Sequence, residues 1–424
     1  MRLKTLRNIL IGLSLLVIAF GLGVNAGGSG LIKPLGIPKT QFLNTDYSKV
    51  SLDFSLFFDV WERLHRNYID KNELDAQKMF YGAISGMVAS LQDPYTVFLP
   101  PQQNKEAKDD LKGKLEGIGV QLGIKDKKIV VIAPLKGTPA EKSGIKEGDW
   151  ILKVDGKETM NWTLPEAVSK IRGPKGTTVT LTLLHKDATA SSEIKVIRDE
   201  IKVASVEWEV KSAKCKNQSA NCEIIKEGCT DCKQIIYLKL SRFGDDTTNE
   251  WNKAVDEINA AMKQFNNGTM KGLIFDLRNN PGGYLSGSVF IASEFLKDGT
   301  VVIQESASGK QTYAVNRKGK LTDVPMVVLV NKGSASASEI VAGALKERNR
   351  AKLVGETTFG KGSIQEAQDL AQGAGIHITT AKWLLPSGKW INGSGVEPDV
   401  KIENSQEKPD EDLQLEKAIE TLVK

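Results

Sequence analysis

The stretch MVVLVNKGSASASEIVAGALK, residues 326–346, decides the fold class. Met326–Val330 is an unbroken apolar run, the pattern of a strand covered on both faces. Small and polar residues follow from Asn331, and Ser336–Lys346 then repeats apolar positions at helical spacing. The same order of strand then helix recurs on either side. Ile235–Leu240 precedes Thr248–Gln264, and Gly272–Leu277 precedes Tyr284–Phe295. Lys352–Val354 and Ile376–Trp383 read as further strands, and Leu413–Val423 as an amphipathic helix. Alternation of this kind predicts an α/β layered core on a largely parallel sheet.

Three turns in this region follow apolar strands, where an α/β protein presents its chemistry. They are Asp276–Gly283 (DLRNNPGG), Asn331–Glu339 (NKGSASASE) and Gly355–Ser363 (GETTFGKGS). The third matches G-x4-G-K, but Gly362 stands where a phosphate loop needs a magnesium-binding Ser or Thr, so a nucleotide site is not expected. Lys361 is instead a candidate general base, a role lysine takes when desolvation lowers its pKa. Phe359 and small neighbours are the expected desolvating surroundings. The nucleophile would come from the Ser-Ala-Ser-Ala-Ser turn, helped by the positive end of a helix dipole. Spacing alone leaves Ser334, Ser336 and Ser338 open, and an N-capping role is the competing reading. Backbone N–H groups there and at Gly282–Gly283 are candidate oxyanion donors. With only His65, His185 and His377 in the chain, a histidine-based triad or metal centre has few ligands to draw on.

Upstream, residues 113–186 change to short strands and glycine-rich turns, with short helices at Thr138–Gly144 and Leu164–Ile171. Gly117-Ile118-Gly119-Val120, TPAEKSGI, EGDWILKVDG and the later helix together resemble a PDZ domain. That resemblance implies capture of a polypeptide C-terminus by strand addition, the carboxylate being held by N–H groups of the Gly117–Val120 loop. Arg172, at the end of the second helix, is either a ligand-sensing residue or a surface charge. Residues 51–92 carry helical periodicity (Leu56, Val60, Leu64, Tyr68; Met79, Ala83, Met87, Leu91), which predicts a helical hairpin ended by Asp93-Pro94.

The chain of 424 residues is long enough for two to four domains. At 40% hydrophobic and 26% charged it is too polar for a polytopic membrane protein. The net charge of +5 is spread without a basic block, so nucleic acid is not an expected partner. Arg2, Lys4 and Arg7 precede the apolar run Ile9–Val24 and the small-residue site Val24-Asn25-Ala26, the layout of an export signal. The run's 16 residues reach only about 24 Å as a helix, so cleavage after Ala26 competes with retention as a tilted anchor. Either outcome puts the body outside the inner membrane, in the periplasm or beyond. Cys215, Cys222, Cys229 and Cys232 fit that oxidising setting as two disulfides, with nested pairing (Cys215 to Cys232, Cys222 to Cys229) preferred over a structural zinc.

The set as a whole resembles the carboxy-terminal processing (tail-specific) serine peptidases, with a Clp protease/crotonase-like catalytic core. The matching segments are YGAISGMVASLQDPYTVFL, DLRNNPGG, NKGSASASEIVAGALKE, VGETTFGKGSIQE and WLLPSGKWINGSGVEPDV. The resemblance implies Ser336 as nucleophile, Lys361 as base, Gln365 as its assistant, and the amides of Ala337 and Gly282 as the oxyanion hole, with Gly283 adjacent. It makes Ser334 and Ser338 structural caps and gives Glu339 the task of fixing the turn. The four-cysteine insertion near 211–233 departs from the family pattern. The expected organisation is a signal or anchor (1–26), a linker (27–50), a helical segment (51–105), a PDZ domain (106–190) and a peptidase core (191–424). The expected activity is that of an exported endopeptidase cutting polypeptides near exposed C-termini, without a cofactor. A homo-oligomer and an adaptor or activator are its expected partners. The rival is a catalytically idle PDZ scaffold that holds partner tails at the membrane. An acyl transferase of the crotonase type would need a coenzyme A site, and no motif supplies one.

Overall fold

The computed structural model describes residues 53–125, 128–185, 188–217, 220–225, 229, 232–265, 268–404 and 411–423. The export signal and the linker therefore lie outside the described residues. The chain divides into two units, residues 1–75 and 76–424. In the first, helix α1 (Ser55–Asn67) carries the exposed apolar side chains Leu56, Phe58, Val60 and Leu64, and Trp61 stacks on His65. The two helices expected over 51–92 both form, but they fall in separate units. Among the described residues no helix is long and apolar enough to cross a membrane.

The second unit begins with helix α2 (Ala76–Ala89), strand β1 (Val97–Leu99) and helix α3 (Pro101–Leu111). Pro101 sits at the first position of α3, where its missing N–H costs no hydrogen bond. The PDZ-like region follows. Strands β2 (Lys114–Gly117) and β9 (Asp199–Lys202) pair antiparallel at its base. Strands β3 (Val120–Lys125), β4 (Lys128–Pro134), β5 (Trp150–Val154), β7 (Thr178–Leu184) and β8 (Ser192–Ile197) form its sheet in that order, with the short β6 (Lys157–Glu158) beside β5. Val179, Leu181 and Leu183 alternate inward along β7 and are fully buried. They close a separate core with Ala140 of helix α4 (Pro139–Lys142) and Ala167 and Ile171 of helix α5 (Leu164–Ile171).

The C-terminal region is built on a seven-stranded sheet ordered β11-β10-β12-β13-β16-β17-β20. These strands are β10 (Val206–Asn217), β11 (Ala220–Ile225), β12 (Lys233–Leu240), β13 (Met270–Asp276), β16 (Met326–Val330), β17 (Lys352–Gly355) and β20 (Val400–Lys401). From β12 to β20 all neighbours are parallel, as the alternating sequence predicts. The period of two along each strand splits the side chains between the two faces. Ile236, Leu238, Phe275, Val328 and Val330 face helices α6 (Thr247–Gln264), α7 (Leu285–Phe295) and α8 (Ala337–Glu347). Ile235, Ile274, Val327 and Leu329 face helix α9 (Leu413–Val423). Each fully buried side chain of this kind contributes roughly 1.5–3 kcal/mol. A second sheet carries β14 (Thr300–Ser306), β15 (Gly309–Ala314), β18 (Ser363–Asp369) and β19 (Gly375–Leu384), with β1 added at its edge. Of these strands only β19 is read from the sequence.

The cysteine pairing differs from the nested expectation. Cys215 is bonded to Cys222 and Cys229 to Cys232. The cause is the register. Strands β10 and β11 form their own hairpin, which sets Cys215 directly across from Cys222, whereas β10 against β12 pairs Ala213 with Lys233 and carries Cys215 past the end of that ladder.

Candidate active site

The three glycine- and serine-rich turns follow β13, β16 and β17, adjacent parallel strands, and so converge at one sheet end. Ser336 closes the turn after β16 and is the N-cap of α8. Its backbone has φ 54° and ψ −117°, a conformation that a residue with a side chain adopts only under constraint. The constraint is visible. Ser334 Oγ donates to the Leu277 carbonyl at 2.8 Å, Ser338 Oγ to the Asn280 carbonyl at 2.9 Å, and Ala335 N–H to the same carbonyl at 3.0 Å. Both flanking serines are fully buried, whereas Ser336 is half-buried.

Glu339, one turn into α8 and fully buried, ties this turn to the next. Its Oε2 accepts the backbone N–H of Ser336 and of Lys361, each at 2.9 Å. Its Oε1 accepts Gly360 N–H at 2.6 Å and Thr358 Oγ1 at 2.5 Å. One carboxylate thus holds the serine turn and the lysine turn by their main chains.

The half-buried Lys361 side chain places its ammonium 4.9 Å from the centre of the Tyr95 ring. Burial pushes the Lys361 pKa down, while the negative charges of Asp93 and Glu339 oppose that shift. The aromatic ring beside the ammonium is that of Tyr95, whereas Phe359 is 57% exposed. His377 is pushed below its ordinary value by burial and by the charge of Lys361. Gln365, on β18, donates to Ser363 Oγ at 2.9 Å and to Thr379 Oγ1 at 3.1 Å. Among the described residues no hydrogen bond joins Lys361 Nζ to the Ser336 hydroxyl or to Gln365. Resting enzymes often show such loose geometry.

Opposite Ser336 stands the Gly282-Gly283 turn. A Cβ on Gly282 (φ +100°) would lie 2.7 Å from the Ala335 carbonyl oxygen and 2.8 Å from Ser336 Cβ, so only glycine allows this approach. Gly282 N–H donates to Asn280 Oδ1 at 2.9 Å and is thereby engaged. The N–H groups of Ala337 and the exposed Gly283 have no protein acceptor among the described residues.

In the PDZ-like region, the carbonyls of Ile118 and Gly119 accept Ala140 N–H at 2.8 Å and Leu135 N–H at 2.9 Å. Their own N–H groups have no protein acceptor among the described residues. They border a pocket of about 140 Å³ lined by Val120, Leu122, Leu135, Val168 and Ile171. Arg172 stands at its edge, 3.8 Å from Asp110 of α3. The glycine-loop pocket and the serine and lysine turns thus have distinct places in one chain. Among the described residues no cluster of three or more His, Cys, Asp or Glu is arranged to hold a metal.

Comparison with known proteins agrees with this layout. Residues 234–402 match the model of peptidase family S41. A carboxy-terminal-processing protease of Bartonella bacilliformis is 35% identical over 392 residues, spanning 91% of this chain and 82% of the relative. The chain belongs to the S41 peptidase family. It is a serine-type, carboxy-terminal processing member of that family. Residues 107–184 match the PDZ domain and residues 40–102 the activating protease CtpB N-terminal domain. The carboxy-terminal processing protease CtpA of Bacillus subtilis is 36% identical over 344 residues, covering 81% of this chain and 67% of its own. Among solved structures, a photosystem II D1 C-terminal processing protease aligns with a TM-score of 0.51 at 29% identity, covering 86% of this chain and 96% of that one. The core is therefore the Clp/crotonase-like fold of S41 peptidases, with a PDZ domain.

Two groups at the site escape sequence reading. The Asp93–Thr96 turn lies far from the lysine in the chain, and only its place in DPYT hints at a role. Thr379 is an unmarked strand residue.

Proposed function

We propose that this S41 peptidase cleaves polypeptides near their C-termini by a Ser336–Lys361 dyad, with the PDZ domain holding the substrate tail. The observation that carries the dyad is the Glu339 carboxylate, which accepts the backbone N–H of both residues and fixes their turns side by side. Neutral Lys361 takes the Ser336 hydroxyl proton as Oγ bonds to the substrate carbonyl carbon. The oxyanion is received by the Ala337 N–H and by the Gly282-Gly283 turn, where the Gly283 N–H is the uncommitted donor. Lys361 then returns the proton to the leaving amine as the peptide C–N bond breaks. Water, deprotonated by Lys361, hydrolyses the acyl ester and restores Ser336. Gln365 orients the lysine from β18. Half-burial supports the base role, since it favours the neutral amine.

Gly117–Val120 supplies two uncommitted N–H groups for a tail carboxylate beside an apolar pocket, which favours tails with apolar ends. Export is supported by the layout of residues 1–26 and by two disulfides, which persist in oxidising compartments. Self-association and an activating partner are supported by the exposed apolar side chains of α1 and by the match to an activating-protease N-terminal domain.

The test is incubation of the protein with an unstructured polypeptide ending in apolar residues, with mass spectrometry of the products. Parallel Ser336→Ala and Lys361→Ala variants are checked for folding. Cleavage by the parent and by neither variant is expected. Cleavage surviving in a folded variant removes that residue from the dyad. No cleavage by any form, with tail peptides still bound, supports the scaffold instead.

A further inference from the structure

We infer that Tyr95, carried by the Asp93–Thr96 turn, is a positioning residue for the general base: its ring holds the Lys361 side chain and governs how readily that amine gives up its proton. The inference rests on Lys361 being the base.

Tyr95 is half-buried, and its ring face lies under the Lys361 ammonium at 4.9 Å. The turn that presents it is anchored from both sides. Asp93 Oδ1 accepts Tyr95 N–H at 3.1 Å, and Asp93 Oδ2 accepts Thr96 Oγ1 at 2.7 Å. Thr96 Oγ1 in turn accepts the N–H of Thr379 at 3.0 Å, and Thr379 Oγ1 accepts Gln365 Nε2 at 3.1 Å. Strand β1 continues the attachment, pairing Val97 with His377. One turn therefore reaches Lys361 through the ring and Gln365 through two threonines.

The chemistry of an aromatic face suits the task. It attracts the ammonium but accepts no proton, so it holds the lysine without competing for the serine hydroxyl. Its bulk also keeps water away, which favours the neutral amine. The other groups facing the lysine are the carboxylates of Asp93 and Glu339 and the imidazole of His377. Asp93 already accepts bonds from its own turn and Glu339 from four donors.

The two effects of the ring have opposite signs, and substitution separates them. The readout is the pH profile of kcat/KM for peptide cleavage, whose ascending limb reports the base in the free enzyme. Tyr95→Phe keeps the face and the bulk, and the limb stays in place. Tyr95→Leu keeps bulk without the face, and the limb moves to lower pH by roughly half a unit to one unit. Tyr95→Ala loses the face as Tyr95→Leu does but also admits water, so its limb lies at higher pH than that of Tyr95→Leu. Should the alanine variant fail to fold, the Phe and Leu pair still decides. An identical limb in all folded variants overturns the inference and leaves the dyad standing. Cleavage by a folded Lys361→Ala variant overturns the dyad, and the inference with it.

Discussion

Glu339→Gln tests whether one buried carboxylate assembles the site. The native group accepts four hydrogen bonds, from Ser336 N–H and Lys361 N–H on one oxygen and from Gly360 N–H and Thr358 Oγ1 on the other. Glutamine offers one carbonyl oxygen and turns an NH2 group toward two of those donors. Two charge-assisted bonds are lost, each worth about 1.5–3 kcal/mol, so the fold loses about 3–6 kcal/mol. That is a large part of the roughly 5–15 kcal/mol that holds a domain folded. Urea unfolding in a Ser336→Ala background, which removes self-cleavage, reads the loss as a lower midpoint with an unchanged slope. In the dyad-intact protein kcat falls, because the serine and lysine turns separate. Tail-peptide binding to the PDZ domain stays as it was. The charge has its own signature: the Glu339 carboxylate favours protonated Lys361, so any residual activity has its ascending limb at lower pH. A variant with the native midpoint, native kcat and an unmoved limb refutes the reasoning.

Burial holds Lys361 below 10.5, so between its lowered value and 10.5 the unfolded chain binds a proton that the folded chain does not. Stability therefore rises with pH across that window, and below it the desolvation cost is fully present. Lys361→Met is expected to abolish cleavage yet raise the urea midpoint at pH 6, with the gain shrinking as pH climbs through the window; a lower midpoint contradicts this. Gly283→Ala would put a Cβ 2.1 Å from the Phe243 carbonyl oxygen, and kcat is expected to fall by more than about tenfold, as when an oxyanion donor is displaced. Tryptic mapping without reduction is expected to give Glu227–Lys233 as one peptide with an internal disulfide, and a second disulfide linking the peptides that carry Cys215 and Cys222. A Cys215–Cys232 cross-link would restore the nested pairing.

The peptidase core was legible where the sequence repeats a strong local pattern. Met326–Val330 is apolar at every position because β16 is central and covered on both faces, and a helix start follows after one short turn. The edge hairpin of β14 and β15 is half-exposed and mixes polar with apolar residues, so its sequence carries no such signature. The disulfide pairing depended on the register of β10 with β11, which cysteine spacing does not encode. The serine and lysine turns stand out by composition, but the choice between Gly282 and Gly283 depends on one bond, donated by the Gly282 N–H to Asn280 Oδ1. Phe359 is the apolar neighbour nearest the lysine in sequence, but the fold turns it to solvent and brings Tyr95 in from far upstream.

The central claim is that Ser336, among the three serines of its turn, attacks the substrate. Acid quenching within the first turnover, followed by peptide mapping, finds where the acyl group is attached. An ester on Ser336, absent in Ser336→Ala, is the predicted result. An ester on Ser334 or Ser338, or turnover with no serine ester at any time, would contradict the account.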